Sequence, residues 1–309
     1  MTDITLLGAP MEEGTGRRGC AMGPAAYRTA GIVEELTALD HQVRDLGDAV
    51  PEQTGPLTAP HERVRNLEEV AGWARSLHRH AYNLARADTL PIYLGGDHAL
   101  SLGTVSGHLA AAAEIGRPQF VLWLDAHADF NTLESSPSGN LHGTPLAFAC
   151  GLEGFEPILG QPLPVALPPE NLCILGLRSV DGREHELLRA SGAVAHDMRA
   201  IDESGIKPLL LNFMDRVLAE NGFLHVSLDV DFIEPDIAPA VGTTVPGGAT
   251  FREAHHVMEL LHDSGRVTSL DLVELNPFLD ERGRTARLMV ELTASLFGRR
   301  VLDRPTRSY

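Results

Sequence analysis

Lysine is nearly missing from this 309-residue chain: Lys207 is the only one, and arginine supplies the rest of the basic charge. We read that bias as one of coding, not of function. Positive charge as a whole is in short supply, with 25 Lys and Arg against 42 Asp and Glu and a formal net charge of −17. Such a surface repels nucleic acid and anionic membranes, and it draws cationic substrates and metal ions from a distance. Cysteine is also scarce, and Cys20, Cys150 and Cys173 fall at spacings that fit no zinc or redox motif. An odd number of thiols suits a reducing compartment. No apolar run approaches the ~20 residues of a membrane helix. The start, Met1 to Gly8, has neither the basic region nor the long apolar stretch of a signal peptide. These absences lead us to expect a soluble, cytoplasmic protein without nucleic-acid or membrane partners.

What is present is an ordinary globular composition, 43% hydrophobic and 22% charged, able to bury a sizeable core. Short apolar runs alternate with longer amphipathic ones. Ile4–Leu7, Val43–Leu46, Pro91–Leu94, Phe120–Leu124, Leu172–Leu175, Ala193–Ala195, His225–Leu228 and Ser269–Val273 read as eight strands. Between them Pro24–Leu39, Glu62–Ala87, Ser101–Ile115, Arg183–Ala190, Lys207–Glu220, Phe251–Leu261 and Thr285–Phe297 read as helices. The alternation predicts an α/β fold: a mostly parallel eight-stranded sheet covered on both faces. No repeat or low-complexity tract divides the chain, and the Pro-rich stretch Gly151–Glu170 reads as a surface excursion, so a single domain over 1–309 is expected.

In open parallel sheets ligands gather beyond the carboxyl ends of the strands. Polar groups fall there four times: Gly-Gly-Asp-His ending at His98, Asp-x-His-x-Asp at Asp125, His127 and Asp129, Asp-x-Asp at Asp229 and Asp231, and Glu274 before Leu-Asn-Pro. If the strand geometry persists, Asp125, His127 and Asp129 share one face. Packed carboxylates need a proton or a cation between them. Asp-x-Asp alone is a weak motif and a lone histidine is commonly structural, but all of these at neighbouring strand ends form a ligand set. Two His and four Asp (His98, Asp125, His127, Asp129, Asp229, Asp231) suit Mn²⁺, or Co²⁺ and Fe²⁺, better than a thiolate zinc site or an all-oxygen calcium site. Six ligands are too many for one catalytic ion, so two ions sharing bridging carboxylates are expected.

Gly-Gly-Asp-His98, Asp125-Ala-His127-Ala-Asp129, Ser138-Gly-Asn-Leu-His142-Gly and Ser227-Leu-Asp229-Val-Asp231 together resemble the signature motifs of the ureohydrolases, and among them the arginases. The resemblance runs from Gly8-Ala9-Pro10 to Glu274-Leu-Asn-Pro277, nearly the whole chain. It implies a three-layer α/β/α fold, two Mn²⁺ ions per subunit, and hydrolysis of L-arginine to L-ornithine and urea by a hydroxide bridging the ions. By that resemblance Asp125 and Asp229 bridge the metals, His98 and Asp129 complete one site, and His127 and Asp231 complete the other. Asp129 passes a proton to the departing amine, Glu274 faces the guanidinium, and His142 shuttles protons to bulk water. Asn131 and the loop of Ser138 and Asn140 resemble the groups that meet an α-carboxylate. Asp181 resembles the partner of the α-ammonium, with Glu184 reaching it through water, and Thr243 a residue near the guanidinium. Trimers or hexamers are common in the family, and Arg252-Glu253 resembles a pair used between subunits.

Two positions depart from the family pattern. Ser179 stands where many arginases carry an acid, and Arg183 where a small residue is usual, so a cation is expected near the substrate's α-ammonium. Within the family the rival activities are those of hydrolases acting on agmatine, guanidinobutyrate or formiminoglutamate. From another class the rival is a non-catalytic metal-binding regulator. Ser138 and Asn140 argue against agmatine, which has no α-carboxylate, and His142 with Glu274 argues against a mere binding module. Other histidines, including His78, His80, His255 and His256, read as surface residues.

Overall fold

The computed structural model describes residues 1–300; positions 301–309 of the expected domain lie outside the described residues. Eight strands, β1 (Asp3–Ala9), β2 (Gln42–Asp48), β3 (Leu90–Gly95), β4 (Gln119–Leu124), β5 (Leu172–Leu177), β6 (Val194–Asp197), β7 (Phe223–Asp229) and β8 (Val267–Val273), form one sheet in the order β2-β1-β3-β8-β7-β4-β5-β6. Every neighbouring pair is parallel. The order explains the site: β3, β8, β7 and β4, whose ends carry the four motifs, are adjacent at the centre of the sheet.

The helices are α1 (Gly23–Thr29), α2 (Ile32–Thr37), α3 (Leu67–Ala85), α4 (Ser101–Glu114), α5 (Pro145–Ala149), α6 (Glu156–Leu159), α7 (Gly182–Ser191), α8 (Met198–Ser204), α9 (Ile206–Ala219), α10 (Phe251–Ser264) and α11 (Arg284–Leu296). They divide between two cores. On one face Ile4, Phe120, Leu122, Val226 and Leu270 pack against α1, α2 and α8 to α11; on the other Leu7, Tyr93, Val121, Trp123 and Val273 pack against α3 to α7. The result is three layers, with central strands buried on both sides and edge strands β2 and β6 largely exposed. Alternation along β7 and β8 puts Leu224, Val226, Leu228, Leu270 and Leu272 in the first core. His225, Ser227, Asp229, Ser269 and Asp271 therefore point to the second, toward α4. There α3 and α4 pack closely enough that a Cβ on Gly107 would stand 2.5 Å from the His78 carbonyl oxygen.

Several sequence expectations change in detail. The run Pro24–Leu39 is two helices, broken where Gly31 takes φ 90°. The helix expected over Glu62–Ala87 begins only at Leu67. The stretch Gly151–Glu170 carries the short α6, and Phe155, Ile158 and Leu167 anchor it in the second core, so it is no mere surface excursion. His255 is buried, its Nδ1 2.9 Å from Ser295 Oγ, and is not the surface residue that helical spacing alone suggested. His78, His80 and His256 are half-buried, and His78 Nδ1 lies 2.9 Å from Ser106 Oγ. Among the described residues no helix is long and apolar enough to cross a membrane.

Candidate metal centre and substrate cleft

The apolar run of β4 stops at Leu124, and from Asp125 onward the backbone is bent, not pleated. Asp125, His127 and Asp129 therefore converge through a loop and not through strand alternation. Asp129 sits at φ 47° and Glu274 at φ 63°, left-handed conformations uncommon for non-glycine residues and costly enough to mark a site held by its surroundings. Around His98 Nδ1 three carboxylate oxygens gather: Asp125 Oδ2 at 3.0 Å, Asp129 Oδ2 at 3.1 Å and Asp229 Oδ2 at 3.1 Å. His127 Nδ1 lies 3.0 Å from Asp231 Oδ2 and 3.5 Å from Asp125 Oδ1. These groups form two potential metal clusters, His98–Asp125–Asp229 and Asp125–His127–Asp231, with Asp125 common to both.

The spacing fits metal coordination. Two ligands at right angles on one ion, each ~2.1 Å from it, stand ~3.0 Å apart. His98 Nδ1 and Asp125 Oδ2 are buried without a hydrogen-bond partner despite their close neighbours, so their lone pairs are unspent. The outer atom of the His98 ring, Nε2, lies 2.8 Å from Ser227 Oγ, and the ring stacks on Trp123 with centroids 4.0 Å apart. With the Nε2 hydrogen donated to Ser227, Nδ1 is left bare toward the carboxylates, as a ligand must be.

Electrostatics says the same. Burial alone lowers His98, but Asp125, Asp129 and Asp229 reverse this and hold it well above normal. Burial opposes His127 likewise, and Asp231 with Asp125 pushes it up to about 12. Burial and neighbouring carboxylates lift Asp229, Asp231 and Asp129, the last to about 6, whereas Asp125 is held down against burial by His127 and His98. Protein groups alone thus retain protons where cations would bind, and metal entry must release them.

Glu274 is buried, and its Oε1 accepts from the His98 backbone N–H and lies 2.9 Å from His142 Nδ1. Burial lowers His142 but Glu274 outweighs it, raising the ring to about 9. With its side chain 18% exposed, His142 touches both water and the buried carboxylate. Oε2 of Glu274 has the Cys20 thiol as a weak donor at 3.8 Å.

Of the metal, catalytic and substrate-binding residues expected from the sequence, all but Asp231 line a single cavity of about 110 Å³. Asp231 lies behind it, joined to the wall by Thr243 Oγ1, which donates to its Oδ2 at 3.1 Å. Asn131 Nδ2 donates to Asp181 Oδ2 at 3.3 Å. Glu184 does not point at the ligand space freely: Oε1 accepts from the Phe130 N–H and Oε2 from the Asp181 N–H, and burial raises it to about 7. Ser138 and Asn140 sit on a turn at Gly139 (φ 72°), where a Cβ would strike the Arg63 carbonyl oxygen at 1.7 Å. Arg183 does not line the cleft. Its side chain is 65% exposed and pairs with Glu186, so the cation expected beside an α-ammonium is directed elsewhere. Ser179 bonds through its N–H to the Ala126 carbonyl oxygen and is absent from the lining too.

Sequence reasoning missed Asp97. Fully buried, it accepts from the Gly14, Thr15 and Ala99 N–H groups and so ties the N-terminal loop to the His98 turn; burial, then Glu274, lifts it to about 7. Its place as an acidic N-cap before a short turn was the available signal. Ser227 was recoverable as the residue two before Asp229 on the same strand face.

Residues 2–298 match the family model described as the arginase family. An arginase of Brucella melitensis biotype 1 is 57% identical over 304 residues, 98% of this chain and 99% of that one. The solved arginase of Bacillus caldovelox superposes with a TM-score of 0.88 at 37% identity, covering 97% of this chain and 100% of that one. An Entamoeba histolytica arginase solved with L-ornithine gives a TM-score of 0.86 at 28% identity, over 96% and 99% of the two chains.

Proposed function

From the premise that the chain belongs to the arginase family, as a hydrolase acting on the guanidino group of arginine, we propose that it converts L-arginine and water to L-ornithine and urea. The observation that carries this is the pair of carboxylate-histidine clusters sharing Asp125 at the floor of a cleft that also holds Glu274 and His142. Two divalent ions held by His98, Asp125, His127, Asp129, Asp229 and Asp231, Mn²⁺ by the balance of imidazole and hard oxygen donors, would supply the acidified water that serves as nucleophile near neutral pH.

The chain's own residues do the rest. Glu274 offers its less engaged Oε2 to the planar guanidinium, orienting it by charge-assisted hydrogen bonds. Water oxygen bonds to the guanidinium carbon, and the bond from that carbon to the δ-nitrogen breaks. Asp129, whose Oδ2 stands among the carboxylates around His98, is suited to take the water's proton and give it to the departing amine. His142 carries the remaining proton traffic to solvent. At the amino-acid end Asn131, Ser138 and Asn140 meet the α-carboxylate and Asp181 the α-ammonium. Glu184 supports Asp181 by accepting its backbone N–H.

The whole chain is proposed to work as one cytoplasmic domain that assembles into trimers or hexamers. Arg252, 63% exposed at the start of α10, remains available to a neighbour despite its 3.6 Å contact with Glu259, whereas Glu253 is occupied in capping Thr250. Light scattering tests the assembly. The activity is tested by urea release from L-arginine, agmatine and 4-guanidinobutyrate under equal Mn²⁺ loading. Better turnover of either arginine analogue would sink the assignment of the amino-acid end.

A further inference from the structure

One cluster of buried polar groups has no part in that chemistry. Asp271 in β8 and His225 in β7 are both 0% exposed, and Asp271 Oδ2 lies 3.1 Å from His225 Nε2. The same Oδ2 accepts from Ser101 Oγ at 2.7 Å and from Thr104 Oγ1 at 2.8 Å, both in the first turn of α4. His225 Nδ1 lies 2.8 Å from Ser269 Oγ. A buried pair of this type is a poor source of stability, because desolvating two charges consumes most of their attraction and well-packed apolar residues would serve as well.

Its position gives it another use. Ser101 comes directly after the turn His98–Leu100. His225 shares a strand face with Ser227, which bonds the His98 ring, and with Asp229. Asp271 stands three residues before Glu274, near the end of β8. One carboxylate oxygen therefore ties together three elements that carry site residues. The second cluster, Asp125–His127–Asp231, rests on the ends of β4 and β7 and has no hydrogen bond to Asp271 among the described residues.

We propose that Asp271, with His225, Ser101 and Thr104, is a positioning unit that fixes the start of α4 against β7 and β8, so that His98 and Asp229 stay close enough to share one metal ion. The inference rests on the two-metal reading of the site. It requires that loss of the unit weaken one ion and spare the other.

The test is a Mn²⁺ titration of the full chain, followed by equilibrium dialysis and by the spin-coupled resonance spectrum of the ion pair. Two variants are compared with the unmodified protein: Asp271→Leu combined with His225→Leu, which removes both charges together, and Ser101→Ala combined with Thr104→Val, which removes only the hydroxyl donors. The unmodified chain is expected to fill two sites. Each variant should hold one ion as before and the other about 10–100-fold more weakly, the usual cost of losing an outer partner. The KM for arginine should stay within about threefold, and excess Mn²⁺ should restore kcat. Folded variants that keep both affinities overturn the proposal, and so does equal weakening of both ions, which would mark general loosening. If the leucine variant does not fold, the hydroxyl variant decides by the same titration. Failure of the unmodified chain to bind two ions overturns the metal reading itself, and this inference with it.

Discussion

The two ends of the cleft are built on opposite terms. At the metal end the groups leave the ends of β3, β4 and β7, most of them buried, and face one another with lone pairs unspent at His98 Nδ1 and Asp125 Oδ2. At the amino-acid end the groups lie on loops and are largely spent on each other: Asn131 on Asp181 and Ser135, and Ser138 on the Asn140 N–H. Asn140 Oδ1 is the unspent atom there. The first end carries a deficit that a cation fills; the second is nearly satisfied without a ligand. Losing a metal ligand should therefore cost far more than losing a group at the amino-acid end, where selection at the substrate's α-carbon should be graded.

The largest test of that contrast is Asp125→Asn. Its oxygens serve both clusters, so the variant should lose both ions and at least ~10³-fold in activity, given that outer partners alone are worth 10–100-fold. Elemental analysis beside a urea assay reads both. Full occupancy with substantial turnover would end the claim that Asp125 is shared.

His142→Ala comes next, with kcat falling by ~10²–10⁴-fold while metal content holds. The ring's raised value, about 9 against an ordinary 6.5, fixes a pH signature in the metal-free chain. The His142–Glu274 pairing contributes stability that is fully present below about pH 6.5 and is lost as pH rises through about 9. The melting-temperature gap between the metal-free protein and the variant should narrow across that window. A constant gap would show that Glu274 does not govern the ring.

Smaller still is the preference for L-arginine over agmatine. Buried polar groups left unpaired can give ~10⁴-fold discrimination, but Ser138 is exposed and water can replace the missing carboxylate, so the ratio in kcat/KM should fall below that. Asp181→Ala should erode it severalfold and leave both metals in place. If that variant shed metal, the two ends would not be independent.

The same contrast explains what the sequence disclosed. Strand order could not be read from it, yet the ends of β3, β4, β7 and β8 could, because ligands on strand ends are close to apolar runs whose burial is written in composition. How Asp125, His127 and Asp129 converge could not, since the bend after Leu124 and the positive φ of Asp129 depend on contacts far along the chain, such as Ala126 N–H with Asp231. Asp97 and Asp271 stayed hidden for a related reason: each is a single acid whose partners, Gly14 and Thr15 for one and Ser101 and Thr104 for the other, lie 82 to 170 residues away. Burial of His255 was lost because helical periodicity gives a face but not what covers it.

Arg183 gives the smallest effect and the finest test. The resemblance to the family put a cation beside the substrate's α-ammonium, where it would oppose binding. Its guanidinium instead pairs with Glu186 one turn along α7, with both side chains 65% exposed. A surface pair of this type contributes about 0–1 kcal/mol and is screened by salt. Asp181 and Glu184, by contrast, turn inward from the same helix start to line the cleft. Arg183→Ala should therefore change kcat/KM for L-arginine by less than about twofold, a factor worth about 0.4 kcal/mol at the transition state, and should leave the ratio to agmatine untouched. The assay is a substrate series at two ionic strengths. A gain of tenfold or more that vanishes at high salt would place the Arg183 charge within reach of the α-ammonium and make the amino-acid end electrostatically tuned, not merely self-satisfied.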